Sequence, residues 1–271
     1  AGGRELAHAE LIGALLIAGF GTLISLFPFH SWAAPAYASA PAPVAMMHAG
    51  VLKKFGLYGL FMFQPLMETG FLPWTNILLV LLVCNVIWVG YVTVNQKRLD
   101  LLLGNSSVMH MGYIFLAFAA LVASGSAEAN PWALKGAALL MLAHGLTIAL
   151  LFLLCGQIEK QTGTLEINSL GGLSTRLPRM AFVFGLAGMA SIGLPGLANF
   201  PGEFMVFFSG FAGFNDSFGP VQIATILCLW GLVIGAVYML RAYRNIFQGD
   251  LSKAAAYATE LLPSERAANY F

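Results

Sequence analysis

The sequence predicts an all-α polytopic membrane protein, and three observations support that prediction. Apolar residues make up 59% of the 271 residues and charged residues 9%, against roughly 45–50% and 25% in a typical soluble domain. Seven stretches reach the length of about 20 apolar residues that a helix needs to cross a bilayer core. Basic residues fall on alternate connections between these stretches. Charges this scarce cannot coat a soluble domain, and a formal net charge of +1 gives no sign of a nucleic-acid partner.

The seven predicted spans follow one another with turn residues between them. They run approximately over 9–29, 44–64, 74–95, 101–123, 132–156, 179–213 and 219–240. The sixth is too long for one straight helix, because at about 1.5 Å per residue it exceeds a core of about 30 Å. Its middle contains Gly193, Pro195, Gly196, Pro201 and Gly202. We therefore expect a helix that is interrupted over 193–202.

Charge on the connections predicts the orientation. The connections after the third, fifth and seventh spans carry Lys97, Arg98, Lys160, Arg176, Arg179, Arg241, Arg244 and Lys253. The opposite connections carry Glu68, Glu128 and Asp216, with no Lys or Arg. The positive-inside rule places the basic side in the cytoplasm or in an organelle's matrix. We expect a multi-pass protein of the bacterial inner (plasma) membrane, and the mitochondrial inner membrane is the less favoured location.

The chain divides into two expected parts. Residues 1–247 are predicted to form a transmembrane domain, and 248–271 a connecting segment on the cytoplasmic side. The sequence begins without an initiator methionine, and we expect it to be a fragment of a longer protein.

Several ionisable residues fall inside the predicted spans, where a charge costs at least about 2.5–3.5 kcal/mol. They are His48, Lys53, Lys54, His110, His144 and Glu203. Glu203 has the strongest functional case, because freed backbone amides and water beside a break can solvate a carboxylate. The two lysines lie about 100° apart on a helix, so at most one is expected to face a given axial site while the other snorkels or pairs.

The histidines have a simpler alternative reading, as hydrogen-bonded packing residues. His110 is expected near the cytoplasmic end of its span, whereas His144 is expected in the middle. The sequence contains no cysteine cluster, phosphate-binding loop or HExxH motif, so we expect no cofactor, metal or redox centre in this chain. A line of Lys, His and Glu near the midplane is typical of proton movement.

Four segments together carry a family resemblance. They are residues 27–59, NSSVMHMGYIFLAFAAL (105–121), LMLAHGLTIALLFLLCGQ (140–157) and SIGLPGLANFPGEFMVFFSGF (191–211). The chain closely resembles the antiporter-like membrane subunits of respiratory complex I, the proton-translocating NADH-quinone oxidoreductase, and especially the chain M (chain 4) type. The resemblance implies about fourteen helices in two inverted five-helix repeats, each with a broken helix. This chain would supply the seventh to thirteenth.

The resemblance also implies partners and site residues. Partners would be the chain L-, N- and K-like membrane subunits and the bilayer, and FMN, iron–sulfur clusters and quinone would belong to partner subunits. By position, Lys54, His144 and Glu203 match the family's proton-transfer residues. Secondary candidates are Lys53, His48, His110, Lys97 and Asp100.

The chain also departs from the family pattern, and so resembles a divergent paralogue. Leu23 stands where the first broken helix usually carries a lysine, and Asp100 aligns with another family lysine. Lys97 and Arg98 lie about one turn earlier and are candidate substitutes. Tyr37 replaces a histidine in the loop after the first span.

Three functions follow from these observations. The leading hypothesis is a proton-translocating subunit that couples electron transfer from NADH to quinone to proton movement, so that the chain belongs to a translocase. The alternatives are a subunit of a multisubunit cation/proton antiporter and a non-pumping scaffold in the membrane arm. Retained Lys54 and Glu203 weigh against the scaffold, which would gain stability from apolar residues at these positions.

Overall fold

A computed structural model describes residues 8–212 and 218–259, and the regular elements in these ranges are helices joined by turns, with one isolated bridge between Arg98 and Glu166. The α-helices are α1 (Ala9–Ile24), α2 (Ala33–Ser39), α3 (Ala42–Met47), α4 (Lys53–Phe63), α5 (Glu68–Phe71), α6 (Thr75–Val94), α7 (Leu99–Ser124), α8 (Pro131–Thr162), α9 (Leu173–Arg176), α10 (Pro178–Ser191), α11 (Asn199–Ser209) and α12 (Pro220–Phe247). A π-helical turn, His48–Leu52, joins α3 to α4. The predicted all-α class is confirmed.

Among the described residues, four helical segments are long and apolar enough to cross a membrane by length and composition. They are Thr69–Val94, Leu99–Ser124, Pro131–Thr162 and Pro220–Phe247. They correspond to the third, fourth, fifth and seventh predicted spans. Two of them begin with proline, whose fixed φ suits the first helical position and whose missing N–H costs nothing there. Gly163 ends α8 with a φ of 70°, a left-handed conformation that glycine adopts without strain.

The other three predicted spans are irregular. The first was predicted to reach residue 29, but α1 ends at Ile24, and Ser25 has a φ of 70°. Helix resumes only at α2, beyond the predicted end of this span. The resemblance makes the first span the broken helix of the first repeat, and the early end of α1 agrees with that. The second span is helical over residues 42–63 but contains the π-helical turn, which no sequence pattern predicts.

The predicted interruption of the sixth span is confirmed, although it lies earlier than expected. It separates Ser191, the last residue of α10, from Asn199, the first residue of α11. Pro201 and Gly202 were expected in the break but belong to the first turn of α11. Proline is compatible with a first turn because the amides there lack helical partners in any case.

Helix α7 lies at the centre of the structure and is buried along almost its whole length. It packs against α2, α6, α8, α11 and α12. In a helix surrounded in this way, apolar residues are found on every side rather than on one face. Any polar side chain on its middle turns therefore lies in the protein interior.

Backbone hydrogen bonds tie the basic connections together at one end of the helices. The amide of Leu99 donates to Leu165 O over 3.0 Å, and that of Ile167 donates to Lys97 O over 2.8 Å. The Arg241 guanidinium donates to Gln96 O over 3.0 Å. The connections after α6, α8 and α12 therefore share a face, called here the basic face, as the charge pattern predicted.

Asn85 of α6 holds the break after α1. Its Nδ2 donates to Ser25 O over 3.1 Å and to Val108 O over 3.3 Å, and its Oδ1 accepts from the Phe27 amide over 2.5 Å. Broken backbone inside a membrane must find partners within the protein. Asn85 supplies them for both a donor and an acceptor of this break.

Candidate functional site

Glu203 lies on the second turn of α11, directly beside the break in the sixth span. Its side chain is 2% exposed, and its Oε1 has no hydrogen-bond partner among the described residues. The other oxygen, Oε2, occupies the space beside Gly193, where a Cβ would overlap it. Gly193 has a φ of 78°. The break therefore gives the carboxylate its position, because only a residue without a side chain leaves room for it.

His110 lies between α10 and Glu203. Its Nδ1 is 2.8 Å from Ser106 O and its Nε2 is 2.9 Å from Ser191 O, while Nε2 is 3.9 Å from the Glu203 Oε1. A neutral imidazole has one N–H, so both carbonyls are bonded only by the imidazolium form. His110 is the twelfth of the 26 residues of α7. The expectation that it lies near the cytoplasmic end was wrong, since it is close to the middle of the helix.

His144 of α8 packs against the His110 ring. The two ring centroids are 5.1 Å apart with an interplanar angle of 41°. His144 is 2% exposed, and its Nδ1 has no hydrogen-bond partner in the described part of the chain. The structure therefore places two imidazoles and a carboxylate side by side in the order His144, His110 and Glu203. Together with Lys54 they are called here the buried row.

Lys54 approaches His144 from the helical segment 42–63, which packs against α8. Its Nζ donates to Ala49 O, a carbonyl of the π-helical turn. Gly145, the residue after His144, permits the approach: a Cβ there would lie 4.0 Å from Lys54 Cε and 2.6 Å from Gly50 O. The π-helical turn and α8 therefore cross at two glycines, which brings the lysine to the level of His144.

A groove of about 650 Å³ opens beside Lys54, between the helical segment 42–63 and α8. Its lining includes Met47, Val51, Leu142 and Leu146, and Lys54 is the charged member of the lining. Lys54 remains only 7% exposed. Among the described residues, the ammonium group is therefore the one charged group in a mostly apolar lining.

Both lysines of the pair are buried, and of the two alternatives expected for the second lysine, snorkelling or pairing, Lys53 does not snorkel. Lys53 is 0% exposed and its Nζ lies 5.6 Å from the centroid of the Tyr37 ring. His48, which is partly buried, has its Nδ1 3.2 Å from the Tyr37 hydroxyl oxygen. These side chains form a separate polar cluster beside α2, away from Glu203.

The secondary candidates Lys97 and Asp100 belong to the basic face. Lys97 is exposed. Asp100 is buried at the first turn of α7, where Arg98 binds it through Nε over 3.2 Å and Nη2 over 2.6 Å. This hydrogen-bonded pair raises the pKa of Arg98. Asp100 lies ten residues before His110, about 15 Å along the helix, so the structure does not bring it to the buried row.

Two polar residues of the site were missed by sequence reasoning. Asn199, the first residue of α11, is fully buried, and its Oδ1 is 3.4 Å from the Thr147 hydroxyl, one turn beyond His144. Its Nδ2 has no partner among the described residues. A buried amide within the motif LANFPGEF is the signal that could have indicated it. Within the same ranges, no three His, Cys, Asp or Glu residues gather as metal ligands.

Known protein families and individual proteins share sequence similarity with this chain. A family model described as "NADH:quinone oxidoreductase/Mrp antiporter, TM" matches residues 3–240. An NAD(P)H-quinone oxidoreductase chain 4 of Microcystis aeruginosa is 35% identical over 263 residues, which are 96% of this chain and 45% of the relative. A chain 4 of Synechocystis sp. is 36% identical over 242 residues, 89% of this chain and 42% of the relative. The chain thus spans less than half the length of these relatives.

Solved structures with the same fold include a chain of respiratory complex I from Thermus thermophilus. It aligns with a TM-score of 0.83 at 27% identity, over 96% of this chain and 52% of that one. A chain of the Mrp complex from Dietzia sp. aligns with a TM-score of 0.79 at 22% identity, over 89% of this chain and 43% of that one; at this identity it shows the fold alone. The family model covers most of the chain, and the protein belongs to the membrane-embedded family shared by NADH:quinone oxidoreductases and Mrp antiporters.

Proposed function

We propose that the chain is part of a proton-translocating membrane subunit of an NADH-quinone oxidoreductase, of the chain M or chain 4 type. The observation that supports this function is the buried row of Lys54, His144, His110 and Glu203. All four are titratable and lie inside the helix bundle. Their helices are held at that level by glycine contacts and by a broken helix. Buried charges of this kind are costly, so they persist where a membrane protein moves ions.

The proposed mechanism is electrostatic. In a medium of low dielectric, the proton affinity of each group depends on the charge of its neighbours. A change of charge near Lys54 would release its proton to His144, His144 would pass a proton to His110, and the His110 imidazolium would then transfer one to Glu203. Glu203 would deliver the proton to the side opposite the basic face.

The distances between neighbouring side chains of the buried row require water between them. The 3.9 Å from His110 Nε2 to Glu203 Oε1 is longer than a hydrogen bond. Buried polar atoms without a protein partner are usually bonded to ordered water. In the described ranges such atoms include His144 Nδ1, Asn199 Nδ2 and Glu203 Oε1. Bridging waters at these atoms would complete the proton route.

The remaining assignments belong to the same proposal. Residues 1–247 would form the transmembrane proton-translocating domain, and 248–271 a connection on the cytoplasmic side; residues 260–271 lie outside the described part. The basic face would point to the cytoplasm of a bacterial cell. Chain L-, N- and K-like subunits would be the membrane partners. FMN, the iron–sulfur clusters and quinone would reside in other subunits of the complex, which carry out the electron transfer from NADH to quinone.

The proposal is tested by Glu203→Gln in the complete complex. Glutamine keeps the shape of the side chain but cannot take up the proton. We expect normal assembly and a lowered ratio of protons pumped to NADH oxidised, measured in inside-out membrane vesicles. Glu128→Gln, in an exposed turn, is the matched control and should behave as the wild type. An unchanged ratio in Glu203→Gln would refute the role of Glu203.

The antiporter alternative makes a different prediction in the same vesicles. A cation/proton antiporter subunit would exchange monovalent cations for protons without NADH oxidation, whereas a scaffold would give wild-type coupling in a Lys54→Met, Glu203→Gln double variant. Loss of NADH-driven pumping in that variant, without cation exchange in the wild type, supports the proposed function over both.

A further inference from the structure

Lys53 is a buried titratable group that the proposed proton route does not use. Its side chain is 0% exposed, and its Nζ has no hydrogen-bond partner among the described residues. The Nζ lies over the Tyr37 ring, within the range of about 6 Å in which a cation is attracted to an aromatic face. Packing alone does not explain a lysine here, because an apolar residue would fill the same space without the desolvation cost.

The groups around Lys53 lead away from it toward the basic face. Tyr37 is on α2, which packs against the first half of α7: a Cβ at Gly104 would lie 3.2 Å from Tyr37 Cδ2. Gly104 is five residues from Leu99, where α7 begins at the basic face. The Tyr37 hydroxyl oxygen lies 3.2 Å from His48 Nδ1, and His48 is partly exposed. Tyr37 and His48 thus connect a fully buried amine to a partly exposed imidazole.

We propose that Lys53 is a second proton-holding site of this chain, and that Tyr37 and His48 are the groups through which it takes protons from the basic side. His48 would accept a proton from water and pass it from Nδ1 to the Tyr37 oxygen, while the Tyr37 hydroxyl proton moves to the Lys53 amine. One proton then moves from His48 to Lys53, and Tyr37 ends unchanged. The flexible four-carbon stem of lysine carries Nζ between the ring face and the hydroxyl.

This site would act on the neighbouring Lys54, so the inference rests on the proposed function. Lys53 and Lys54 are adjacent in the chain and both are buried. Two ammonium groups in such surroundings repel each other. A proton that arrives at Lys53 would therefore favour release of the Lys54 proton toward His144. The two lysines would convert proton uptake from the basic side into proton movement along the buried row.

Tyr37→Phe in the complete complex separates this role from packing. Phenylalanine keeps the ring under Lys53 and removes only the hydroxyl that would carry the proton. General acid–base groups contribute roughly 10²–10⁴-fold to a proton-transfer step, and we expect at least a tenfold lower rate of NADH-driven pumping in vesicles. Tyr91→Phe, at an exposed tyrosine of α6, is the control and should pump as the wild type. Lys53→Leu should lower the rate as Tyr37→Phe does.

The Lys54→Met variant distinguishes the two proposals. Reduced pumping in Lys54→Met, Tyr37→Phe and Lys53→Leu supports the second site. Reduced pumping in Lys54→Met with wild-type rates in Tyr37→Phe and Lys53→Leu overturns it and leaves the proposed function standing. Wild-type pumping in Lys54→Met overturns both. Because Tyr37→Phe adds no atoms and preserves the ring, it keeps the test decisive even if Lys53→Leu fails to assemble.

Discussion

Gly193 offers a test of how the broken helix positions the Glu203 carboxylate. Gly193→Ala would place a Cβ 2.9 Å from Glu203 Cδ and in overlap with Oε2. The preferred separation of non-bonded carbons is about 3.5–4.0 Å, so the carboxylate carbon must retreat by about 0.6–1.1 Å, and the overlapping Oε2 must move further. Backbone strain adds about 1–2 kcal/mol, because alanine disfavours the left-handed region that Gly193 occupies.

A shift of this size is large for a proton-transfer group. A displacement of about 1 Å from a reactive geometry can cost about 10²-fold in rate, and Glu203 Oε1 already lies 3.9 Å from His110 Nε2. We therefore expect proton pumping through Glu203 to fall by roughly tenfold to a hundredfold. The fold should survive, since the strain of one left-handed alanine is a small share of a typical folding free energy of about 5–15 kcal/mol.

Gly196 provides the matched control. It has a φ of 90°, so alanine there carries a similar backbone strain, but its Cβ would meet nothing within 4 Å. Proton pumping per NADH oxidised is measured in vesicles from Gly193→Ala and Gly196→Ala strains, with assembly checked by the amount of complex in the membrane. Only Gly193→Ala should lose pumping. Equal ratios in the two variants would show that the break does not set the position of Glu203.

Two further variants test the packing that supports the site, by thermal unfolding in detergent. Asn85→Leu should destabilise the chain by about 1–3 kcal/mol for each buried backbone group left unpaired, whereas Thr93→Val removes only a hydroxyl bond within α6; equal shifts in melting temperature would contradict the clamp. Gly202→Ala would place a Cβ 2.7–2.8 Å from backbone atoms of Leu140, and overpacking typically costs about 1–3 kcal/mol. Gly19→Ala has open space and gains helix propensity, so it should be neutral or stabilising, and the close crossing of α8 and α11 is wrong if the two glycine variants melt alike.

The long helices were predictable because their signal lies in one continuous stretch of sequence. An apolar run of about 20 residues bounded by Pro131 or Pro220 leaves few alternatives to a spanning helix. The break after α10 was equally visible, since glycine and proline cluster there. The early end of α1 was not, because the residues after Ile24 continue the apolar run. The π-helical turn has no glycine–proline cluster or charge to distinguish its HAGVL segment.

Prediction of the site was limited by contacts between distant segments. Lys54, His144 and Glu203 could be selected as candidates because a buried charge is costly wherever its helix packs, and the structure shows that all three are buried. His110 was underrated because its importance depends on Ser191, 81 residues away in the chain, and on the neighbouring imidazole of His144. Sequence spacing on one helix contains no information about such pairs. The burial of both Lys53 and Lys54 likewise depends on distant segments, because Tyr37 of α2 lies beside the first and α8 lies beside the second.

The irregular segments share a role that explains why a membrane protein retains them. Ser191, at the carboxyl end of α10, presents its carbonyl to His110, and Ala49, in the π-helical turn, presents its carbonyl to Lys54. Ser191 O is one of the last carbonyls of α10, which have no partner within the helix and carry the negative end of its dipole, whereas Ala49 O lies inside a helical segment that continues to Phe63. A cation that arrives at such a carbonyl is stabilised by a fixed group, without a permanent counter-charge. A carboxylate partner would hold the proton far more tightly. Carbonyls from interrupted helices therefore suit groups that must gain and release a proton in every cycle, and this is the physical reason to expect the breaks and the titratable residues at the same level of the membrane.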